Sequence, residues 1–189
     1  ADVMEAVPLM VVSDHLTDIA EMMVEAAFDL AWRHLVARHG RPQCGDSRVC
    51  DSGFAVIGYG KLGGLELGYG SDLDLVFLHS VEGADRSTNG DKPIDNAVFY
   101  ARLGQRMIHI LNTRTPAGVL YEVDTRLRPS GASGLLVSNV DAFADYQREH
   151  AWTWEHQALV RARLITGDAG IAEAFELLRT EILTRRRDP

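Results

Sequence analysis

Apolar residues recur at helical spacing from Asp14 to His39, where Leu16, Ile19, Met22, Met23, Ala26, Ala27, Leu30 and Leu35 mark one face of a long helix. Ser13 stands in front as its expected cap, and Gly40 and Pro42 end it. A polar connector from Arg41 to Gly53 leads into Phe54-Ala55-Val56-Ile57-Gly58, a short apolar run of strand type. After the glycine-dense stretch Gly58–Gly70, the segment Ser71–His79 alternates polar with apolar in its first half, the signature of a second strand. Residues 82–93 read as a loop, Asp95–Asn112 as a helix with Val98, Ala101, Met107, Ile108 and Leu111 inward, and Gly118–Leu127 as a continuous strand. Pro129–Gly134 is a turn and Leu135–Val137 a brief strand. Ser138 with Asp141 resembles a capping box opening a helix to about Leu164, and a last helix covers Ile171–Thr184.

The elements mix strands and helices, which is read as an α+β chain. Residues 1–53 form an N-terminal helix and connector, 54–137 the core, and 138–189 C-terminal helices of the same domain. At 189 residues the chain is long enough for one well-packed domain. It opens at Ala1 and stops at Arg187-Asp188-Pro189 without a closing motif, as a segment of a longer polypeptide would.

Lys and Arg number 19 against 27 Asp and Glu, a formal net charge of −8. Non-specific nucleic-acid binding depends on clustered bases, so no nucleic-acid partner is expected. No apolar stretch approaches the ~20 residues of a membrane span, and a signal-peptide layout is missing, so a cytoplasmic protein is expected. Cys44 and Cys50 share a hydrophilic connector with no second Cys/His pair nearby, and are read as free thiols.

Gly58-Tyr59-Gly60-Lys61-Leu62-Gly63 matches the dinucleotide pattern G-x-G-x-x-G in letters. The spacing argues against that reading: only seven residues, Gly64–Gly70, separate Gly63 from Ser71, too few for a helical crossover to a parallel strand. A Walker loop fails at Ala55 and Leu62, and an EF-hand loop fails on the apolar Leu73, Leu75, Val76 and Phe77. What remains is a strand, a glycine-rich turn and an Asp-x-Asp strand. Strand alternation places Asp72 and Asp74 on one side, ~7 Å apart. Two such charges repel by about 2 kcal/mol at an effective dielectric near 20, so a flanked pair needs a compensating cation or full solvation. Mg²⁺ suits the first case, because it takes one or two carboxylates together with water and phosphate oxygens.

These residues resemble the polymerase-β-like nucleotidyltransferase superfamily, whose signature is Gly-Ser, a short helix, then apolar-Asp-apolar-Asp-apolar. Gly60-Lys61 occupies the Gly-Ser place, with Lys for Ser as a departure, and Gly63-Gly64 and Ser71-Asp72-Leu73-Asp74-Leu75 follow at compatible spacing. GYGKLGGLELGYGSDLDLVFLH, YEVDTRLRPSGASGLLV and AWTWEHQALVRARL narrow the likeness to the family of bifunctional glutamine synthetase adenylyltransferase/adenylyl-removing enzymes. Gly68-Tyr69 before Ser71, and Trp152–Gln157, resemble the C-terminal adenylylating domain of that family more than the deadenylylating one.

The resemblance implies the polymerase-β-like nucleotidyltransferase fold, a small mixed β-sheet with flanking helices, and a third carboxylate at Asp124, with Glu122 on the same strand face as its competitor. It implies metal and catalytic roles for Asp72, Asp74 and Asp124, with Mg²⁺ or Mn²⁺ as the ion and ATP as substrate. Nucleotide contacts are expected at Gly60, Lys61, Gly63, Gly64, Ser71, Arg126 and Arg128. The implied reaction is transfer of AMP to a tyrosine of glutamine synthetase, under control of glutamine and the PII signalling protein. The alternatives are phosphorolytic removal of AMP by the sister domain type and a non-catalytic nucleotide-sensing module. A structural ion pair is the bland reading of Arg126 and Arg128. Arg161 and Arg163 are read at a helix end, where cations complement the dipole. Trp152 and Trp154 are expected in the core and left out of the site, and His79 is read as an ordinary strand-end residue.

Overall fold

The computed structural model describes residues 8–43, 52–80, 86–116 and 118–185. Cys44 and Cys50 lie outside them. Five strands form the main sheet. β1 (Phe54–Gly58) pairs antiparallel with β2 (Leu73–His79) on one side and with β7 (Arg163–Gly167) on the other. The far edge of β2 is shared by two short parallel strands, β5 (Val123–Asp124) beside Leu73-Asp74 and β6 (Val137–Asn139) beside Phe77–His79. β3 (Arg114–Thr115) and β4 (Gly118–Val119) make a separate antiparallel hairpin.

Helices cover both faces of the sheet. Phe54, Val56, Leu73, Leu75 and Phe77 pack against α1 (Leu9–His39) and α3 (Asn96–Leu111). Ala55, Ile57, Val76 and Leu78, of opposite strand parity, pack against α4 (Val140–Glu149) and α6 (Ala169–Thr184). Stacked rings of Phe28, Phe54, Phe77 and Tyr100 run through the first core. The small mixed sheet flanked by helices is the α+β class expected.

Local readings differ where tertiary partners intervene. α1 starts at Leu9, and Ser13 sits inside it with its carbonyl accepting the Thr17 hydroxyl at 2.8 Å. Its buried stripe is built from small residues, Ala20, Val24, Ala27 and Ala31, which let the helix lie close to the sheet. Ile19, Met22 and Leu30 stay 48–64% exposed. The strand expected over Gly118–Leu127 is interrupted, because Asp124 and Arg128 bind nearby backbone groups that a ladder would need. The expected helix from Ser138 to Leu164 is also broken. Asn139, not Ser138, caps α4, accepting from the Asp141 and Ala142 amides at 2.8 and 3.3 Å. A short α5 (Thr153–Ala158) follows, its start held by Glu155 accepting from the Trp152 amide at 2.8 Å. The chain then extends into β7, so the segment after residue 137 contributes a strand to the core sheet, and residue 137 itself opens β6. Among the described residues no helix is long and apolar enough to cross a membrane.

Candidate active site

β1 delivers the chain to a one-turn helix, α2 (Gly60–Gly63), which drops it back to the start of β2. There the strand side chains of even number change character. Val76 and Leu78 are core, while Asp74 is half-buried and Asp72 exposed, beyond the cover of α4 and α6. The Leu73 amide donates to the Glu122 carbonyl at 2.8 Å, and the parallel register sets Asp124 directly beside Asp74. Adjacent strands lie ~4.8 Å apart, so this pairing brings the third carboxylate within reach of the other two.

Carboxylate oxygens of Asp72, Asp74 and Asp124 all lie within 4.8 Å of one another. Beside them opens a cavity of about 420 Å³ lined by Asp72, Glu122, Val123, Asp124, Thr125 and Arg126. Glu122, the competitor for third acid, lines the cavity but does not belong to this cluster.

The electrostatics are those of an under-compensated anionic centre. Burial, then the carboxylates of Asp72 and Asp124, push the Asp74 carboxyl above the usual range, against the opposing pull of Arg126 and Lys61. Asp124 goes the other way, its carboxyl lowered chiefly by hydrogen bonds from the Arg126 side chain. Arg126 donates its amide to Oδ1 at 2.8 Å and Nε to Oδ2 at 2.7 Å, and its Nη2 also reaches Oδ2. Its guanidinium is 80% exposed and lines the cavity. Arg126 bonds directly to Asp124, while Lys61 acts on Asp74 and Arg128 on Asp124 through space; the Asp74 carboxyl nevertheless stays raised, and an all-oxygen set of this kind fits a hard divalent cation.

The structure sorts the expected nucleotide contacts. Gly60 backs the acids directly: φ is +54° and a β-carbon there would stand 2.2 Å from Asp74 Oδ2. Lys61 is exposed on α2, near enough to act on Asp74. The Gly63 and Gly64 amides, expected at phosphates, donate instead to the Tyr59 and Gly60 carbonyls at 2.9 and 3.0 Å. Gly63 provides clearance, since a β-carbon would lie 1.7 Å from the Arg161 carbonyl. Ser71 closes its own turn, its hydroxyl accepting from the Gly68 amide at 3.1 Å. Arg128, expected at phosphate, braces the following loop, donating to the Thr125 carbonyl and hydroxyl at 2.7 Å each and to the Ala132 carbonyl at 3.1 Å.

Other expectations fall differently. Trp152 and Trp154 are 70% and 55% exposed, not core. Arg161 pairs with Glu66 at 2.8 Å. Arg163 lies on β7, not a helix end, and meets Glu21 across 142 positions of sequence. No local pattern could have announced that pair. His79 is stacked on Tyr100, and burial lowers its pKa.

The glutamate-ammonia ligase adenylyltransferase family model matches residues 1–177. Proteins named bifunctional glutamine synthetase adenylyltransferase/adenylyl-removing enzyme align with the whole chain. The one from Nitrosococcus oceani is 64% identical over 190 residues, that from Thioalkalivibrio sulfidiphilus 62% over 189, and that from Pseudomonas syringae pv. tomato 57% over 188. The chain spans about a fifth of the length of each of these relatives. With a family match over nearly all its residues and such identities across its full extent, the chain belongs to the glutamate-ammonia ligase adenylyltransferase family.

Proposed function

We propose that this chain is a metal-dependent nucleotidyltransferase domain that moves AMP from ATP to a tyrosine of glutamine synthetase, releasing pyrophosphate. The convergence of Asp72, Asp74 and Asp124 within 4.8 Å, across the β2–β5 register, carries the reading. Asp72, Asp74 and Asp124 would hold the divalent ions, Mg²⁺ or Mn²⁺. Bound there, the ions would neutralise triphosphate charge and acidify the attacking hydroxyl.

The chain's own residues do the rest. A tyrosine hydroxyl has a pKa near 10, so it needs a proton acceptor at neutral pH. Asp124 is that acceptor once Arg126 releases it, because the same pairing that lowers its carboxyl also weakens it as a base. Arg126 is exposed and faces the cavity, so its guanidinium can turn from Asp124 to a phosphate, which accepts the same bidentate donation. Lys61 supplies a second cation from α2. Gly60 lets the turn lie against Asp74, and Arg128 holds the loop that follows the third acid.

Incubation with glutamine synthetase, labelled ATP and Mg²⁺ tests the reading, with label expected on the target. The name of these relatives joins two opposed activities, which supports phosphorolytic removal of AMP as the second reading. Phosphate-dependent release of AMP as ADP would favour it. Nucleotide binding without turnover in either direction would favour a sensing module. Control by glutamine and the PII protein, and a cytoplasmic setting, complete the proposal.

A further inference from the structure

β7 is the sheet edge remote from the acids, yet one of its side chains reaches the glycine turn. Arg163, which pairs with Gly58 across β1, donates Nε to the Gly63 carbonyl and Nη2 to the Leu62 carbonyl, each at 3.1 Å. Carbonyls at the end of a one-turn helix have no partners within it, and a guanidinium satisfies two at once. Nη2 also pairs with Glu21 on α1. The two side chains are only 27% and 30% exposed, so the pair is shielded from solvent better than most ion pairs.

The neighbouring backbone strengthens the clamp. The Arg161 carbonyl passes directly beneath Gly63, and the Arg161 side chain pairs with Glu66 just past the turn. The underside of Gly60–Gly63 is thus gripped by Arg163 of β7 and by the Arg161 carbonyl just before that strand, while its upper side, at Gly60, is pressed against the Asp74 carboxylate.

We propose that Arg163, held by Glu21, is a positioning residue for the acidic centre. It fixes the seat of the glycine turn, and so the place of the Asp74 carboxylate and of Lys61, without touching a reacting atom. The inference rests on Asp72, Asp74 and Asp124 being an ion-binding centre. Lysine is not an equivalent, because a point charge cannot address two carbonyls and a carboxylate in the fixed fork of a guanidinium.

The test is Mn²⁺ affinity, read as free ion by electron paramagnetic resonance, with ATP affinity by calorimetry and thermal stability alongside. Residues that orient metal ligands change affinity by about 10–100-fold when removed, and Arg163→Ala is expected at the lower end, with ATP affinity reduced in parallel. Arg163→Lys and Glu21→Gln should fall between it and the wild type. Arg179, which donates to the Leu159 and Val160 carbonyls at 2.7 and 2.8 Å, is a brace of similar kind, and Arg179→Ala should lower stability with Mn²⁺ affinity unchanged. Wild-type Mn²⁺ and ATP affinities in folded Arg163→Ala would overturn the positioning role and leave the centre standing. Should Arg163→Ala not fold, Glu21→Gln decides, and wild-type affinity there overturns the role. Failure of the wild type to bind Mn²⁺ in a manner abolished by Asp74→Asn would overturn the centre itself, and this inference with it.

Discussion

Gly60 lies so close to Asp74 that a β-carbon on it would stand 2.2 Å from Oδ2, and its φ of +54° is one that side-chain-bearing residues rarely adopt. Gly60→Ala therefore meets two penalties. The left-handed conformation costs about 1–2 kcal/mol for a residue with a β-carbon, and the clash must displace the carboxylate or the turn. The expected outcome is a modest loss of stability in urea denaturation with at least about tenfold weaker Mn²⁺ binding. Unchanged ion affinity would show that the turn does not set the acid's place.

The raised carboxyl of Asp74 has a consequence of definite sign. A carboxyl whose folded pKa exceeds its unfolded value favours the fold while protonated; that contribution is full below the unfolded pKa and lost as pH rises through the folded one. At neutral pH ionised Asp74 thus opposes folding of the ion-free protein. Asp74→Asn should raise Tm in EDTA at pH 7 and abolish the Tm gain on adding Mg²⁺. A lower Tm in EDTA with the Mg²⁺ gain intact would refute the assignment.

Arg126 and Asp124 give the opposite slope. The carboxyl of Asp124 is held low by Arg126, so its contribution is present above the unfolded pKa and disappears as pH falls through the folded one. Arg126→Ala should flatten the acid limb of the stability profile below about pH 4, the range of an ordinary aspartate, and chemical denaturation across that range measures it. The same variant should weaken ATP binding more than Mn²⁺ binding.

Removing a cluster carboxylate should cost far more than removing its neighbour. Asp72→Asn or Asp124→Asn is expected to lower AMP transfer about a hundredfold or more, since ion-mediated charge stabilisation is worth several kcal/mol and each 1.36 kcal/mol is a factor of ten. Glu122→Gln, lining the cavity outside the cluster, should stay within about tenfold of wild type on the same scale. Equal losses at 122 and 124 in the labelled-ATP assay would make Glu122 a member of the centre.

Arg128→Ala should act on the loop rather than on the ions. Its donors hold Thr125, Ala132 and Gly134, so their loss is expected to speed amide exchange across 125–134 while Mn²⁺ affinity is retained. Loss of ion binding with unchanged exchange would place Arg128 in the site after all.

Short-range information settled much of this protein. The bounds of β1, the glycine turn and the shared side of Asp72 and Asp74 follow from alternation and backbone freedom, which are properties of a few adjacent residues. The third acid came from family likeness, because strand alternation alone left Glu122 and Asp124 equal. The tertiary structure separated them: parallel pairing with β2 sets position 124, not 122, beside Asp74. It also chose the small-residue face of α1 and turned residues 163–164 from the end of a helix into the start of a strand. Those outcomes depend on which surfaces meet between segments tens to a hundred residues apart, and contact energies between distant segments leave no period in the local sequence. The chain's own letters fixed which groups could do the chemistry; only packing decided which of them stand together.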